Sequence, residues 1–310
     1  MLYNNPSLAR QYTGESMEPK LKPLPETILL EATNHCNLKC KMCPQGHNMI
    51  KNKGFMSMEL FKKAIDEIKS IKGYQPQLGL HATGEPLLHK KFSQMVRYAN
   101  DAGLYTMIHT NGCLLNEALA LDLVAAGISE ITFSFEGEDP ERYPEIRVGS
   151  SFDSVDKNIK YFLKIKKNTR VIIEILKFRG IDQDLTIKKE FKDQYPGAEF
   201  NSYFASNWHG TLNDEALMES EIHTQKPEVC PSILKNLIVA WDGKIHPCGK
   251  DFDNRLIIGD LHKETILQHW NGQGRQLLFE KMKQNQYSSL ELCKNCSAPF
   301  TVRTKERTLK

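Results

Sequence analysis

Apolar and polar positions alternate with two different periods along the first two thirds of the chain. Residues 27–31, 78–82, 105–109, 130–135, 170–177 and 199–204 are short apolar runs of strand length. Between them, residues 58–71, 92–102, 116–126, 152–166 and 182–194 carry helical spacing. In the first of these Leu60, Phe61, Ala64, Ile65 and Ile68 share one face, and Ser57 is placed to cap the N-terminus. Gly103 and Gly127 directly follow two of the helical stretches, where left-handed caps belong. Six strands alternating with five helices predict an α/β chain with a parallel sheet and helices outside it. Ligands of such sheets bind at the carboxyl ends of the strands. After about residue 225 the pattern changes. Residues 237–241 read as a strand, Asp242-Gly243 as a hairpin turn and residues 244–246 as the returning strand. A helical pattern over 265–282 is interrupted at Asn271-Gly272 and Gly274.

Length and charge narrow the picture. At 310 residues about two domains are expected. The formal charge of +3 points to neither nucleic acid nor an anionic membrane surface. The first residues, Met-Leu-Tyr-Asn-Asn-Pro-Ser, lack the basic-then-apolar order of a secretory signal, and no apolar run is long enough to span a bilayer. A cytoplasmic protein without nucleic-acid or membrane partners is the expectation. Eight cysteines in such a chain suggest metal or redox use more than disulfides.

Cys36, Cys40 and Cys43 have the spacing C-x3-C-x2-C, and each falls after the first strand, at the ligand-binding end of the sheet. Three thiolates can hold three irons of a cubane whose fourth iron stays open. Zinc is the competing reading, with His47 completing a Cys3His set, although the order differs from common zinc-finger spacings. Thr83-Gly84-Glu85-Pro86 follows the second strand, Thr110-Asn111-Gly112 the third and Ser134-Phe135-Glu136-Gly137 the fourth. Cys230, Cys248 and the pair Cys293-Lys-Asn-Cys296 make a second set of four, enough for a 4Fe–4S cluster or a structural zinc. Cys113 is left over and reads as a small buried residue or a hydrogen-atom donor. His81, His89, His109, His209 and His246 have no spacing signature and read as packing or surface groups.

Together these residues resemble the radical S-adenosylmethionine (radical SAM) enzymes, with a C-terminal region similar to the SPASM and twitch auxiliary-cluster domains. The resemblance implies a partial (β/α)6 TIM-like barrel with a small C-terminal α+β cluster domain. It implies that Cys36, Cys40 and Cys43 hold a catalytic 4Fe–4S cluster whose open iron chelates S-adenosylmethionine. One electron from an external reductant of the flavodoxin or ferredoxin type then releases a 5′-deoxyadenosyl radical, which takes hydrogen from a substrate. It further implies that Gly84 and Glu85 meet the cofactor's amino group, Ser134 and Glu136 its ribose or carboxylate, and Arg147 its carboxylate. Four cysteines, Cys230, Cys248, Cys293 and Cys296, fit the one-cluster, twitch-like version. Met42 stands where relatives carry an aromatic residue, Thr83 where they carry glycine and Glu136 where they carry aspartate. The chain divides into an extension (1–25), the radical core (26–222), the cluster domain (223–300) and a basic tail (301–310). With little sequence ahead of the first strand for a separate peptide-recognition domain, the expected substrate is a sugar- or cyclitol-like small molecule that is oxidised or epimerised. A peptide-modifying enzyme is the alternative, and a non-enzymatic zinc-binding scaffold the second.

Overall fold

The computed structural model describes residues 19–178, 180–212 and 226–296 and the backbone of 303–305. Six strands and the helices between them build the larger part: β1 (Thr27–Leu30), α1 (Met58–Ser70), β2 (Gln77–Gly79), α2 (Phe92–Asp101), β3 (Thr106–Thr110), α3 (Glu117–Ala126) and β4 (Glu130–Ser134). Then come α4 (Tyr143–Ile146), α5 (Phe152–Ile165), β5 (Arg170–Lys177), α6 (Lys189–Lys192) and β6 (Glu199–Phe204). Strands β1 to β6 lie side by side in chain order, all parallel. This is the mostly parallel α/β architecture of a partial barrel.

One face of each strand meets the helices. Ile28, Leu30, Leu78, Leu80, Ile108, Ile131, Phe133 and Ile173 are fully buried there, against Phe61, Ala64, Ile65, Met95 and Ile159 of α1, α2 and α5. Because strand side chains alternate, the residues between them, including Gly79, His109 and Glu174, turn to the opposite face. Local signals set the ends. The Ser57 hydroxyl accepts the Leu60 N–H at 3.1 Å, and Asn116 caps α3 through Leu119 N at 2.9 Å. Gly127 ends α3 with φ +81°.

The C-terminal part adds α7 (Pro231–Lys235), β7 (Asn236–Val239), β8 (Lys244–His246), β9 (Gly259–Asp260), α8 (Ile266–Trp270) and α9 (Gln273–Lys283). Its hairpin does not form a sheet of its own. β7 pairs in parallel with β1, and β8 and β9 follow antiparallel, so the sheet runs on past the barrel edge. The interruption at Asn271-Gly272 separates α8 from α9, as its composition predicts. The residues just before β1 are held from both parts: Trp270 Nε1 of α8 donates to Lys22 O at 2.8 Å, and Tyr74 Oη, between α1 and β2, to Pro25 O at 2.6 Å.

One expectation needs correction. The helix expected over 182–194 contracts to α6, because side chains take over the backbone groups ahead of it. Phe178 N donates to Asp182 Oδ2 at 2.7 Å, Thr186 N to Asp184 Oδ1 at 2.7 Å and Lys188 N to Glu138 Oε1 at 2.8 Å, so a pinned loop replaces the early turns. Within the basic tail expected at 301–310, Arg303–Lys305 form an edge strand antiparallel to β6. The remainder of that tail and most of 1–25 lie outside the described residues. Among the described residues no helix is long and apolar enough to cross a membrane.

Candidate active site and second cysteine cluster

Beyond β1 the chain crosses the carboxyl end of the sheet. Thr33 Oγ1 donates to Gly54 O at 2.6 Å and Asn34 Nδ2 to Asn52 O at 2.7 Å, which fixes the entry to the cysteine loop. Lys39 N and Lys41 N donate to Val148 O and Ile146 O, at 2.9 and 3.1 Å, so the loop runs along the segment that follows α4. Buried Gln45 closes it from behind, with Nε2 donating to Asn34 O at 2.6 Å. Cys36, Cys40 and Cys43 thus share one confined volume, near enough to act on one another electrostatically.

Burial above all pushes the Cys36 thiol up to about 12 and Cys43 up to about 11, and the neighbouring thiols add to both shifts. Thiols held neutral in this way become ligands when a metal centre supplies the compensating positive charge. Donors already face them. Leu38 N lies 3.5 Å from Cys36 Sγ, Asn111 Nδ2 4.0 Å from the same sulfur and Arg147 Nη1 3.8 Å from Cys40 Sγ. Such donors suit a sulfur-ligated anionic centre, and the three cysteines fit the cluster the sequence implies.

The other expected residues gather around this loop. At Gly84 a Cβ would stand 2.3 Å from Thr33 O and 2.5 Å from His35 O, so only glycine lets this backbone press against the cysteine loop. Thr83, where relatives carry glycine, uses its hydroxyl on Glu31 Oε1 at 2.5 Å. Glu85 is buried and spends its carboxylate inside the protein. It accepts from Thr110 Oγ1 at 2.7 Å, Asn111 N at 2.8 Å and Leu87 N at 3.1 Å, tying the loop after β2 to the loop after β3. Burial raises it to about 7, against the pull of these donors.

Arg147 and Glu136 meet as a bidentate pair: Nε to Oε2 at 2.6 Å and Nη2 to Oε1 at 2.7 Å. Burial works against the Arg147 charge, yet the Glu136 carboxylate and then the Cys40 sulfur more than offset it and hold the guanidinium firmly protonated. The fork expected to face a cofactor carboxylate is therefore closed on Glu136. Ser134 ends β4, half-buried, with Glu174 as its register partner on β5. Cys113 sits beside this group, its sulfur 3.1 Å from Ser150 Oγ, and burial raises it.

The second cysteine set comes from three segments. Cys230 precedes α7, Cys248 follows β8, and Cys293 and Cys296 lie in the turn beyond α9. Burial, and then Cys230 and Cys296, push Cys293 up to about 12. Cys248 is raised by burial and by the other three thiols. All eight cysteines are in the thiol form, none in a disulfide. Among the described residues no three His, Cys, Asp or Glu side chains close on a single metal ion. Four thiols near enough to raise one another electrostatically fit the donor set of a cubane.

A loop that the sequence did not single out touches both sets. After β6, Trp208 and His209 adopt left-handed φ values of +46° and +66°. Trp208 Nε1 donates to Met42 O, between Cys40 and Cys43, at 2.8 Å. Asn207 Nδ2 donates to Asn295 O, between Cys293 and Cys296, at 3.2 Å, and Lys250 Nζ lies 4.2 Å over the Trp208 ring.

Comparison with known proteins agrees with this arrangement. The sequence signature of the radical SAM superfamily matches residues 30–185, and that of the SPASM iron–sulfur cluster-binding domain matches residues 230–297. The chain belongs to the radical SAM superfamily, whose cofactors are 4Fe–4S clusters and S-adenosylmethionine. It is 30% identical over 243 residues to a tungsten-containing aldehyde ferredoxin oxidoreductase cofactor-modifying protein of Pyrococcus furiosus, covering 76% of this chain and 59% of that one. It is 22% identical over 283 residues to the S-adenosyl-L-methionine-dependent 2-deoxy-scyllo-inosamine dehydrogenase of Niallia circulans, covering 90% and 95%. The chain spans only 59%, 34% and 30% of three of the curated relatives it matches. Among solved structures, BtrN in complex with AdoMet and 2-DOIA matches with a TM-score of 0.62 at 19% identity, over 90% of this chain and 94% of that one. SuiB of Streptococcus suis bound to precursor peptide SuiA matches with a TM-score of 0.66 at 14% identity, over 95% and 76%. These two likenesses concern the fold.

Proposed function

We propose that this protein is a radical SAM oxidoreductase of a small hydroxylated or aminated molecule. The observation that carries the reading is a three-cysteine loop and a four-cysteine set that one loop joins, through Trp208 and Asn207. When bound, the two clusters and S-adenosylmethionine supply one-electron cleavage of the sulfonium, hydrogen abstraction from the substrate and a place for the electron left behind. This chain's residues do the rest. Cys36, Cys40 and Cys43 anchor the catalytic cluster, and Cys230, Cys248, Cys293 and Cys296 the auxiliary one. Gly84 lets the loop after β2 approach the cysteine loop closely enough for its backbone to meet the cofactor. Glu85 holds that loop to the one after β3. Arg147 braces Glu136 and Cys40, and Ser134 meets the ribose or carboxylate of the cofactor. We place the enzyme in the cytoplasm, with a flavodoxin- or ferredoxin-like electron donor.

A small-molecule substrate is supported by the end-to-end match with the 2-deoxy-scyllo-inosamine dehydrogenase, which covers nearly the whole of both chains. The test is anaerobic reconstitution followed by iron and sulfide analysis and a 5′-deoxyadenosine assay, with an aminocyclitol and a short peptide offered separately. Aminocyclitol-dependent 5′-deoxyadenosine with a ketone product is the expected result. Turnover only with the peptide would transfer the protein to the peptide-modifying class.

A further inference from the structure

The face of the sheet turned away from the helices carries four polar side chains that neither cysteine set uses. His81 follows β2, His109 lies on β3, Glu174 on β5 and Tyr203 on β6. Ile108, Ile173, Ile175 and, on β6, Phe200 are buried in the helix-side core, so alternation puts His109, Glu174 and Tyr203 on the inner face, and His81 joins them there by stacking on His109. They are in contact. The His81 and His109 rings stack, with centroids 4.4 Å apart and planes 23° off parallel. His109 Nδ1 lies 3.6 Å from Glu174 Oε1, and the same oxygen accepts the Tyr203 hydroxyl at 3.0 Å.

Three features separate this group from ordinary packing. Gly79 leaves room for it: a Cβ there would fall 3.0 Å from His81 Cε1 and 2.4 Å from Leu29 Cδ2. His81 Nδ1 is buried and has no hydrogen-bond partner among the described residues, an arrangement that costs stability until some group meets it. The His109 side chain at the other end of the stack is 38% exposed, so the group is open on one side. Glu174 is the register partner of Ser134, which puts the group next to the expected cofactor position.

We infer that His81, His109, Glu174 and Tyr203 form the substrate-recognition site, and that it takes a compact molecule with neighbouring hydroxyl and amino groups. This rests on the small-molecule reading given above. Burial, and then the charge of His109, keep His81 neutral. A neutral imidazole has one donor and one acceptor nitrogen, so it can serve a hydroxyl in either sense. The Glu174 carboxylate matches a substrate ammonium or a donating hydroxyl, and the Tyr203 hydroxyl fixes which of its lone pairs remains available.

The test is anaerobic calorimetric titration of the reconstituted holoenzyme with 2-deoxy-scyllo-inosamine as probe, run beside a titration with S-adenosylmethionine. E174Q and H81F should each raise the probe Kd at least tenfold while changing the S-adenosylmethionine Kd less than twofold. Y203F removes a single oxygen and guards against misfolding; it should raise the probe Kd severalfold. Unchanged probe affinity in all three variants overturns the inference. So does a parallel loss of S-adenosylmethionine affinity, which would assign the group to the cofactor. A wild-type protein that cleaves S-adenosylmethionine but does not bind the probe also overturns it. Failure of the underlying reading looks different: the wild type then forms 5′-deoxyadenosine only with the peptide, or forms none.

Discussion

The Arg147–Glu136 pair offers the sharpest energetic test of the site. Its side chains are 13% and 3% exposed and joined by two short hydrogen bonds, so the weak energetics of surface pairs do not apply. Unit charges about 4 Å apart at an effective dielectric of about 20 attract by about 4 kcal/mol. Removing one partner of a buried pair costs about 3–5 kcal/mol, because the survivor's charge is stranded. Here the two losses should differ. Without Arg147 the Glu136 carboxylate keeps, among the described residues, the Leu176 N–H at 3.3 Å, and lies near the cysteine loop. Without Glu136 the Arg147 cation still faces the Cys40 sulfur at 3.8 Å. R147M should therefore lose about 4 kcal/mol and E136Q about 3 kcal/mol, and the double variant much less than their sum. Anaerobic urea denaturation of wild type, both singles and the double gives the coupling energy directly. A loss under about 1 kcal/mol in R147M, or simple additivity in the double, would refute a buried pair that braces the cysteine loop.

Glu85 predicts a pH dependence. Burial raises its carboxyl to about 7, so between the ordinary carboxyl range and that value the folded protein holds a proton the unfolded chain has released. Stability contributed by this group falls as pH rises through that window, by roughly 3 kcal/mol in the limit. E85Q should flatten the denaturation-midpoint profile, and an unaltered slope would clear Glu85 of the effect. G84A drives a Cβ into Thr33 O and His35 O; it should cost about 1–3 kcal/mol and lower iron retention at the first site, and full retention would contradict the close approach. Replacing Cys230, Cys248, Cys293 and Cys296 together should reduce about eight irons to about four while 5′-deoxyadenosine is still formed. A starting content of about four irons and one zinc would count against the auxiliary cluster.

Periodicity was enough for the strands, since each apolar run packs on helices and must alternate accordingly. β5 and β6 fall on the expected residues, while β2 ends at Gly79, short of the expected residue 82. The helix over 182–194 was misread for a reason outside its own sequence. Its competing partner, Glu138, lies some fifty residues earlier and becomes a neighbour only once β4 and β5 pair. The partnership of Arg147 with Glu136 was hidden in the same way. Their positions in the sequence bring both residues to the site, each facing a ligand; the geometry matches them to each other. His81 and His109 carried no spacing signature because their contact depends on adjacent strands, not on separation along the chain.

The connection between the two cysteine sets was the least legible feature, and the reason is instructive. Trp208 and His209 hold φ values that bulky residues rarely adopt, so no propensity argument could place them there. Strain of this kind persists only where surrounding contacts over-determine it. The contacts here are specific: Trp208 to Met42 in one cysteine loop, Asn207 to Asn295 in the other, and Gly210 packed where a Cβ would stand 2.7 Å from Asn295 Cβ. Phe252, four residues after Cys248, meets the Trp208 ring edge-on with centroids 6.1 Å apart. One short loop after β6 thus fixes the distance between two sets of thiols that come from opposite ends of the chain. Electron exchange between metal centres depends on their separation, so the strain is spent where spacing matters most for the proposed chemistry.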